Sequence, residues 1–232
     1  MAAVERILFV DTETTGLDPK TGHRLVEIAA VESVDRKLTG RNFNYFLNPE
    51  RDIDAAASAV HGLTIEDLLD KPKFKDIADE FIEFVRGATV VIHNAAFDIG
   101  FIEAELRRAK RGTVAALNLT VIDSLMLARE RFPGKRNSLD ALCDRLGVDN
   151  SARNVHGALL DSRLLADVYF ALTRGQGELG MDEPVSPQSA QQLDAALSAS
   201  NAELFALAMP PSAQQAHAGW LAENPSSASR WQ

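Results

Sequence analysis

Residues 6–10 (RILFV) place one arginine before an unbroken apolar run, the pattern of a strand buried on both faces. Leu25–Val34 is dense in apolar and β-branched residues and predicts a second strand. Asn42–Leu47 alternates asparagine with aromatic or apolar side chains, as a half-exposed strand does. In Phe74–Val85 the apolar residues Phe74, Ile77, Ala78, Phe81, Ile82 and Val85 recur at helical spacing, and Gly87 follows as a stop. Thr89–Ile92 and Thr120–Ile122 read as further strands, and Ile99–Arg111, Ser138–Leu146 and Ala158–Leu172 as helices. Three strands followed by helix–strand–helix–strand–helix predict an α/β domain with a mixed sheet.

The pattern changes near Arg174. From Gly175 onward Ala, Ser and Gln dominate, and five of the nine prolines lie there. The expectation is a domain over 1–174 and a mostly flexible tail over 175–232. About 170 residues can bury roughly 70% of the unfolded chain's surface, and the tail cannot match this. The tail does carry short helical stretches. Ser186-Pro187 reads as a cap with proline at the first helical position, ahead of Leu193, Ala196, Leu197 and Leu204. Ser212 with Gln215 reads as a capping box before Trp220 and Leu221. With no domain of their own to pack on, these stretches suit either a frayed tail or helices that fold on a partner.

Composition narrows the class. Of 232 residues 46% are hydrophobic and 25% charged, as in ordinary water-soluble proteins. No apolar run approaches the roughly 20 residues of a membrane span. MAAVERILFV lacks the pattern of a secretory signal. The single cysteine, Cys143, excludes an internal disulfide and a multi-cysteine zinc site, and a cytoplasmic setting is expected. The 24 Lys and Arg against 33 Asp and Glu give a net charge of −9, which speaks against broad binding to a polyanion. Residues 175–232 hold six acids and one base, leaving 27 acids and 23 bases in 1–174.

Several acids stand where chemistry is built. Asp11 and Glu13, in VDTETTGLD, follow the first strand and as i, i+2 residues share one face of extended chain. Two carboxylates held together repel unless a cation neutralises them, although two solvated acids at a strand end are an adequate explanation of the pair alone. Asp98, in VIHNAAFDIGFI, follows a strand that runs into a helix start. There an acid also serves as an ordinary dipole partner. Asp161 adjoins the apolar stripe of Ala158–Leu172, and His156 lies five residues before it. Taken together, four acids and a histidine at strand ends and a helix edge form a hard-oxygen site for Mg²⁺ or Mn²⁺ and phosphoryl chemistry. The histidine suits proton abstraction from water.

The spacing Asp-x-Glu, His-Asn-x-x-Phe-Asp and His-x-x-x-x-Asp resembles the DEDD exonucleases of the ribonuclease H-like fold, in the subclass with a histidine base. GLTIEDLLDKPKF (62–74) and FPGKRNSLDALC (132–143) extend the resemblance to the proofreading epsilon subunits of bacterial DNA polymerase III, over about residues 5–174. The resemblance implies a mixed sheet flanked by helices and 3′–5′ hydrolysis that releases 5′-mononucleotides. It implies two divalent ions, Mg²⁺ or Mn²⁺, held by Asp11, Glu13 and Asp161, with Asp98 completing the site and His156 as the general base. Thr14, Thr15, Gly16 and Leu17 would approach the terminal nucleotide of a single-stranded DNA 3′ end. His61 would touch it, and Asn94 and Phe97 would line the site. These relatives often carry Glu five residues before that histidine, where this chain has Ala56. Gln176, Leu179 and Met181 resemble a sliding-clamp peptide with methionine in place of an aromatic, which implies weak clamp binding. Residues 182–232 would bind the polymerase alpha subunit, and a small theta-like subunit is left open. A stand-alone nuclease trimming RNA or DNA ends is the alternative, against which the long tail argues. A catalytically dead scaffold is disfavoured by the complete set of acids and His156.

Overall fold

The computed structural model describes residues 5–153 and 155–174. The clamp-like peptide 176–181 and the helical stretches expected further along lie outside the described residues. The strands are β1 (Arg6–Thr14), β2 (Leu25–Val34), β3 (Lys37–Phe46), β4 (Thr89–Ile92) and β5 (Thr120–Asp123). The helices are α1 (Ala55–His61), α2 (Phe74–Val85), α3 (Ala95–Arg108), α4 (Ser124–Arg131), α5 (Leu139–Leu146) and α6 (Ala158–Leu172). The sheet runs β3-β2-β1-β4-β5. β1 is antiparallel to β2 and parallel to β4, so the sheet is mixed, as expected.

β1 is longer than its apolar run suggests. Its ladder with β2 continues past Val10 to Glu13↔Glu27 and Thr14↔Leu25, whereas its pairing with β4 ends at Phe9↔Val91. Asp11 and Glu13 therefore lie inside the strand rather than after it, on the stretch where the β4 side is open. β2 and β3 join through Asp35 and Arg36, both at positive φ (48° and 61°), the conformation of a tight two-residue hairpin. That turn starts β3 at Lys37, earlier than the alternation at Asn42 implies. α3 begins at Ala95 rather than Ile99, because Asp123 accepts hydrogen bonds from the Asn94 and Ala95 N–H groups.

Alternation along β1 divides the core. Leu8 and Val10 pack with α2 and α3, through residues such as Phe81 and Phe101, in one buried layer. Ile7 and Phe9 pack with α5 and α6 in the other, where Phe9 meets the rings of Tyr169 and Phe170 at 5.6 and 5.4 Å. By the same alternation Asp11 and Glu13 face α6, and Thr12 faces α3.

A buried ion pair fixes α3 against the sheet. Arg24, just ahead of β2, donates from Nε and Nη2 to both oxygens of Glu105 on α3, at 2.5 and 2.9 Å. Removing one partner of a buried pair leaves an uncompensated charge. Glu105→Ala is expected to cost about 3 kcal/mol in urea unfolding at neutral pH. A loss below about 1 kcal/mol would show that Arg24 finds another partner at no cost.

Candidate active site

The open side of β1 beyond Phe9 becomes a cavity of about 250 Å³, lined among others by Asp11, Glu13, Asn94, Phe97, Asp98, His156 and Asp161. The three sequence segments expected to cooperate do meet here. Glu13, His156 and Asp161 each bring a ligand atom to within 4.8 Å of the others, the geometry of a cation site. Asp161 occupies the buried stripe of α6 itself, at 3% exposure, where the helical pattern calls for an apolar residue. Asp98 is buried in the first turn of α3 and accepts a 2.7 Å hydrogen bond from Thr12 Oγ1 across the cleft. His156 is exposed, one residue ahead of the α6 cap.

The supporting residues are mostly ones that sequence patterns do not single out. Glu27 on β2, opposite Glu13, accepts the Ala158 N–H at 2.9 Å. Gly157 has no side chain with which to cap α6, so a buried carboxylate from the sheet caps it instead. The Asp123 carboxylate receives the N–H groups of Asn94, Ala95, Leu125 and Met126, which pins the starts of both α3 and α4. Arg153, just before α6, donates from Nε and Nη2 to the two oxygens of Asp161, both at 2.6 Å, and also bonds Asp140. Its Nη2 reaches His156 Nδ1 at 2.8 Å. An arginine can only donate, so Nδ1 accepts and the ring proton sits on Nε2. A glutamate inside the apolar run of β2 was a legible signal. Arg153 and Asp123 gave none.

Burial dominates the electrostatics. It pushes the Asp11 carboxyl well above its usual range, with Asp98, Glu13 and Asp161 adding repulsion. Burial also raises Glu13 to about 8, with Asp161 and Glu27 contributing. It raises Asp98 to about 7 against the opposing hydrogen bond from Thr12. Burial by itself would lower the Arg153 guanidinium, but its bonds to Asp161 and Asp140 outweigh this and raise it. Four acids with one arginine among them are under-neutralised, and hard oxygen donors of this kind suit a divalent cation.

A second cavity, of about 380 Å³, opens beside the first and shares Thr12, Glu13 and Phe97 with it. Its lining includes Thr14, Gly16, Leu17, Ala56, Val60 and His61. Leu17 is 85% exposed, a bare apolar face of the kind that bases stack on. A Cβ on Gly16 would collide with the His23 ring, so no larger residue fits there unless that ring moves. Two expected contacts are narrowed. Thr15 is fully buried outside this lining, and its N–H and C=O are spent on Arg24 and Asp54. His61 uses Nδ1 to accept the Leu63 N–H and directs Nε2 at the Thr14 carbonyl. It therefore offers the cavity its ring rather than a free nitrogen.

The raised carboxyls set a stability profile. Folded, Glu13 and Asp98 keep protons that the unfolded chain releases near pH 4, so stability present below that pH is lost as pH rises through about 7 to 8, and the raised Asp11 carboxyl acts in the same direction. The chain in chelator is expected to melt progressively lower between about pH 5 and about pH 8, with saturating Mg²⁺ or Mn²⁺ removing most of the fall. A melting temperature indifferent to both pH and cation would contradict this electrostatic account.

Comparison with known proteins agrees with this geometry. The RNase T exonuclease family model matches residues 8–169. The DNA polymerase III subunit epsilon of Rickettsia prowazekii is 54% identical over 172 residues, covering 74% of this chain and 75% of the relative. That of Escherichia coli K12 is 53% identical over 179 residues, covering 75% and 74%. Among solved structures, exonuclease X in complex with 5′-overhanging duplex DNA aligns at TM-score 0.56 and 28% identity, over 74% of this chain and 92% of that one. Escherichia coli exonuclease I with single-stranded DNA aligns at TM-score 0.66 but 18% identity, over 75% and 42%, and supports the fold alone. With the acids of three segments gathered in one cleft, the chain belongs to the DNA polymerase III epsilon-subunit family of 3′–5′ proofreading exonucleases.

Proposed function

We propose that Asp11, Glu13 and Asp161 hold two divalent cations, Mg²⁺ or Mn²⁺, with Asp98 completing the site, and that His156 is the general base. The observation that carries this reading is the convergence of four under-neutralised carboxylates and an exposed histidine in one cleft. When bound, the cations supply Lewis-acid stabilisation of the charge that builds on the phosphoryl oxygens.

The protein's own groups divide the remaining work. The apolar cavity around Leu17, Val60 and Phe97 takes the 3′-terminal nucleoside, where stacking contributes about 1–3 kcal/mol per base. The water oxygen bonds to phosphorus, the bond from phosphorus to the preceding 3′-oxygen breaks, and a 5′-mononucleotide leaves. His156 accepts a proton from that water, which requires a free ring lone pair. In the resting arrangement the Nδ1 lone pair is engaged by Arg153, so Arg153 has to release the imidazole before His156 acts through that atom. Arg153 and a cation compete for the same oxygens of Asp161, which makes the arginine the counter-ion of the resting site.

By its family, this domain works in a complex. We assign residues 1–174 to the exonuclease domain and 175–232 to a tethering tail, with Gln176, Leu179 and Met181 meeting the sliding clamp and 182–232 the alpha subunit. Tethering raises the effective concentration at a primer end without tight DNA binding. Among the described residues, no helix is long and apolar enough to cross a membrane.

His156→Ala is expected to lower kcat by roughly 10²–10⁴-fold, without recovery at higher metal concentration. Recovery on added metal would reassign His156 as a ligand. Asp11→Ala is expected to abolish hydrolysis with the fold intact by circular dichroism, and near-normal turnover would overturn the cation assignment. Deletion of 182–232 should preserve hydrolysis of single-stranded DNA and abolish co-purification with the polymerase alpha subunit. Co-purification of the shortened chain would place that interface elsewhere.

A further inference from the structure

A third cavity adjoins the carboxylate cleft through His93, Asn94 and Ser138, and Arg129 and Lys135 line it. The apolar cavity joins the same cleft through other residues, Thr12, Glu13 and Phe97. The acidic cleft is thus flanked by an apolar cavity and by a cationic groove. We propose that this groove binds the phosphodiester backbone of the DNA strand upstream of the cleaved bond, with Arg129 and Lys135 as its phosphate contacts.

The state of the two cations supports the assignment. Among the described residues, neither Arg129 nor Lys135 has a carboxylate within ion-pair distance, and Arg129 makes only a 3.9 Å contact with the Met126 sulfur. The bases at 107–111 are largely spent. Arg107 pairs with Glu103, Arg108 with Glu105 and Arg111 with Asp79. Ion pairing therefore separates Arg129 and Lys135 from the bases at 107–111.

The groove is also firmly built. The His93 ring spans from Ser124 Oγ (2.9 Å) to the Asn137 carbonyl (3.0 Å), which ties the end of β4 to the loop before α5. Arg145 holds that loop through the Asn137 side chain and the Arg136 carbonyl, and its guanidinium lies over the Phe132 ring. Two cations on an ordered frame, without ion-pair partners among the described residues and next to the acids of the cleft, offset the repulsion that those acids impose on an arriving polyanion. A strand with its last nucleoside in the apolar cavity and its scissile phosphate at the acids has its next phosphates directed to this groove. The inference rests on the carboxylate cleft being the centre of cleavage.

The test compares kcat/KM on a dinucleotide, whose single phosphodiester is the one cleaved, with that on a single-stranded pentanucleotide. It uses the full chain and the double variant Arg129→Gln/Lys135→Gln. The native chain is expected to favour the pentanucleotide, and the variant to lose at least about fivefold of that preference. Its log–log salt slope should fall by about 1.4, at about 0.7 per phosphate on a single strand. A control with the same charge change, Arg107→Gln/Lys110→Gln, should keep both the preference and the slope. The proposal is overturned if the native chain shows no length preference, if the Arg129/Lys135 variant keeps the native preference and slope, or if it loses activity equally on both lengths. Each of these outcomes leaves the carboxylate reading standing, because that reading is tested separately by Asp11→Ala on the dinucleotide.

Discussion

Repulsion among four clustered acids, three of them buried, is the constraint around which this molecule is arranged. Asp11 and Glu13 are held on one face of β1, with Asp161 on α6 and Asp98 at the start of α3 brought against them in one cleft. Burial and mutual repulsion raise the Asp11 and Glu13 carboxyls, and burial raises that of Asp98. Such a cluster would spread apart unless each member were held by its own element. β1 is held by the β2 ladder, α6 by Glu27 at its first N–H, and α3 by Asp123 and the Arg24–Glu105 pair. The core therefore does more than stabilise the domain, because it keeps a charge pattern in place that is unfavourable without cations.

Arg153 moderates the cost. It neutralises Asp161 and occupies a lone pair of His156, the two groups that a cation and a water proton would need. The site is thus partly compensated by an internal cation.

The net charge of −9 takes on a different meaning once it is placed in space. Part of the acidity lies in residues 175–232, and five of the domain's acids, Asp11, Glu13, Asp98, Asp140 and Asp161, line the cleft. Most of the bases at 107–111 are consumed in ion pairs, whereas among the described residues Arg129 and Lys135, which line the groove beside the cleft, have none. An acidic protein can act on a polyanion when its few free cations lie along the strand's path and partners supply the rest of the affinity.

Much of the fold was legible because periodicity is a local property. β2, β4, α2 and α6 lie where the apolar spacing puts them, since each buries a stripe that its own sequence writes. α1 (AAASAVH) and α4 (SLMLARER) carry no such stripe. α4 forms where Asp123 caps its first N–H groups, and α1 ends at Gly62 in the left-handed region, whose N–H bonds the Ser58 carbonyl. The length of β1 was hidden for a similar reason, because residues 11–14 are polar and are kept extended by pairing with β2. For the site, the acids, the histidine and their spacing follow from residue type and order alone. The folded chain was needed to show that Asp161 sits in the core stripe, that Glu27 and Arg153 serve it, and that His61 has no nitrogen to spare. It was needed equally to show that, among the described residues, Arg107, Arg108 and Arg111 are ion-paired while Arg129 and Lys135 are not. Each of those depends on which side chain lies across the chain from it, over separations of up to 131 residues in the case of Glu27 and Ala158, and local pattern carries no information about such partners.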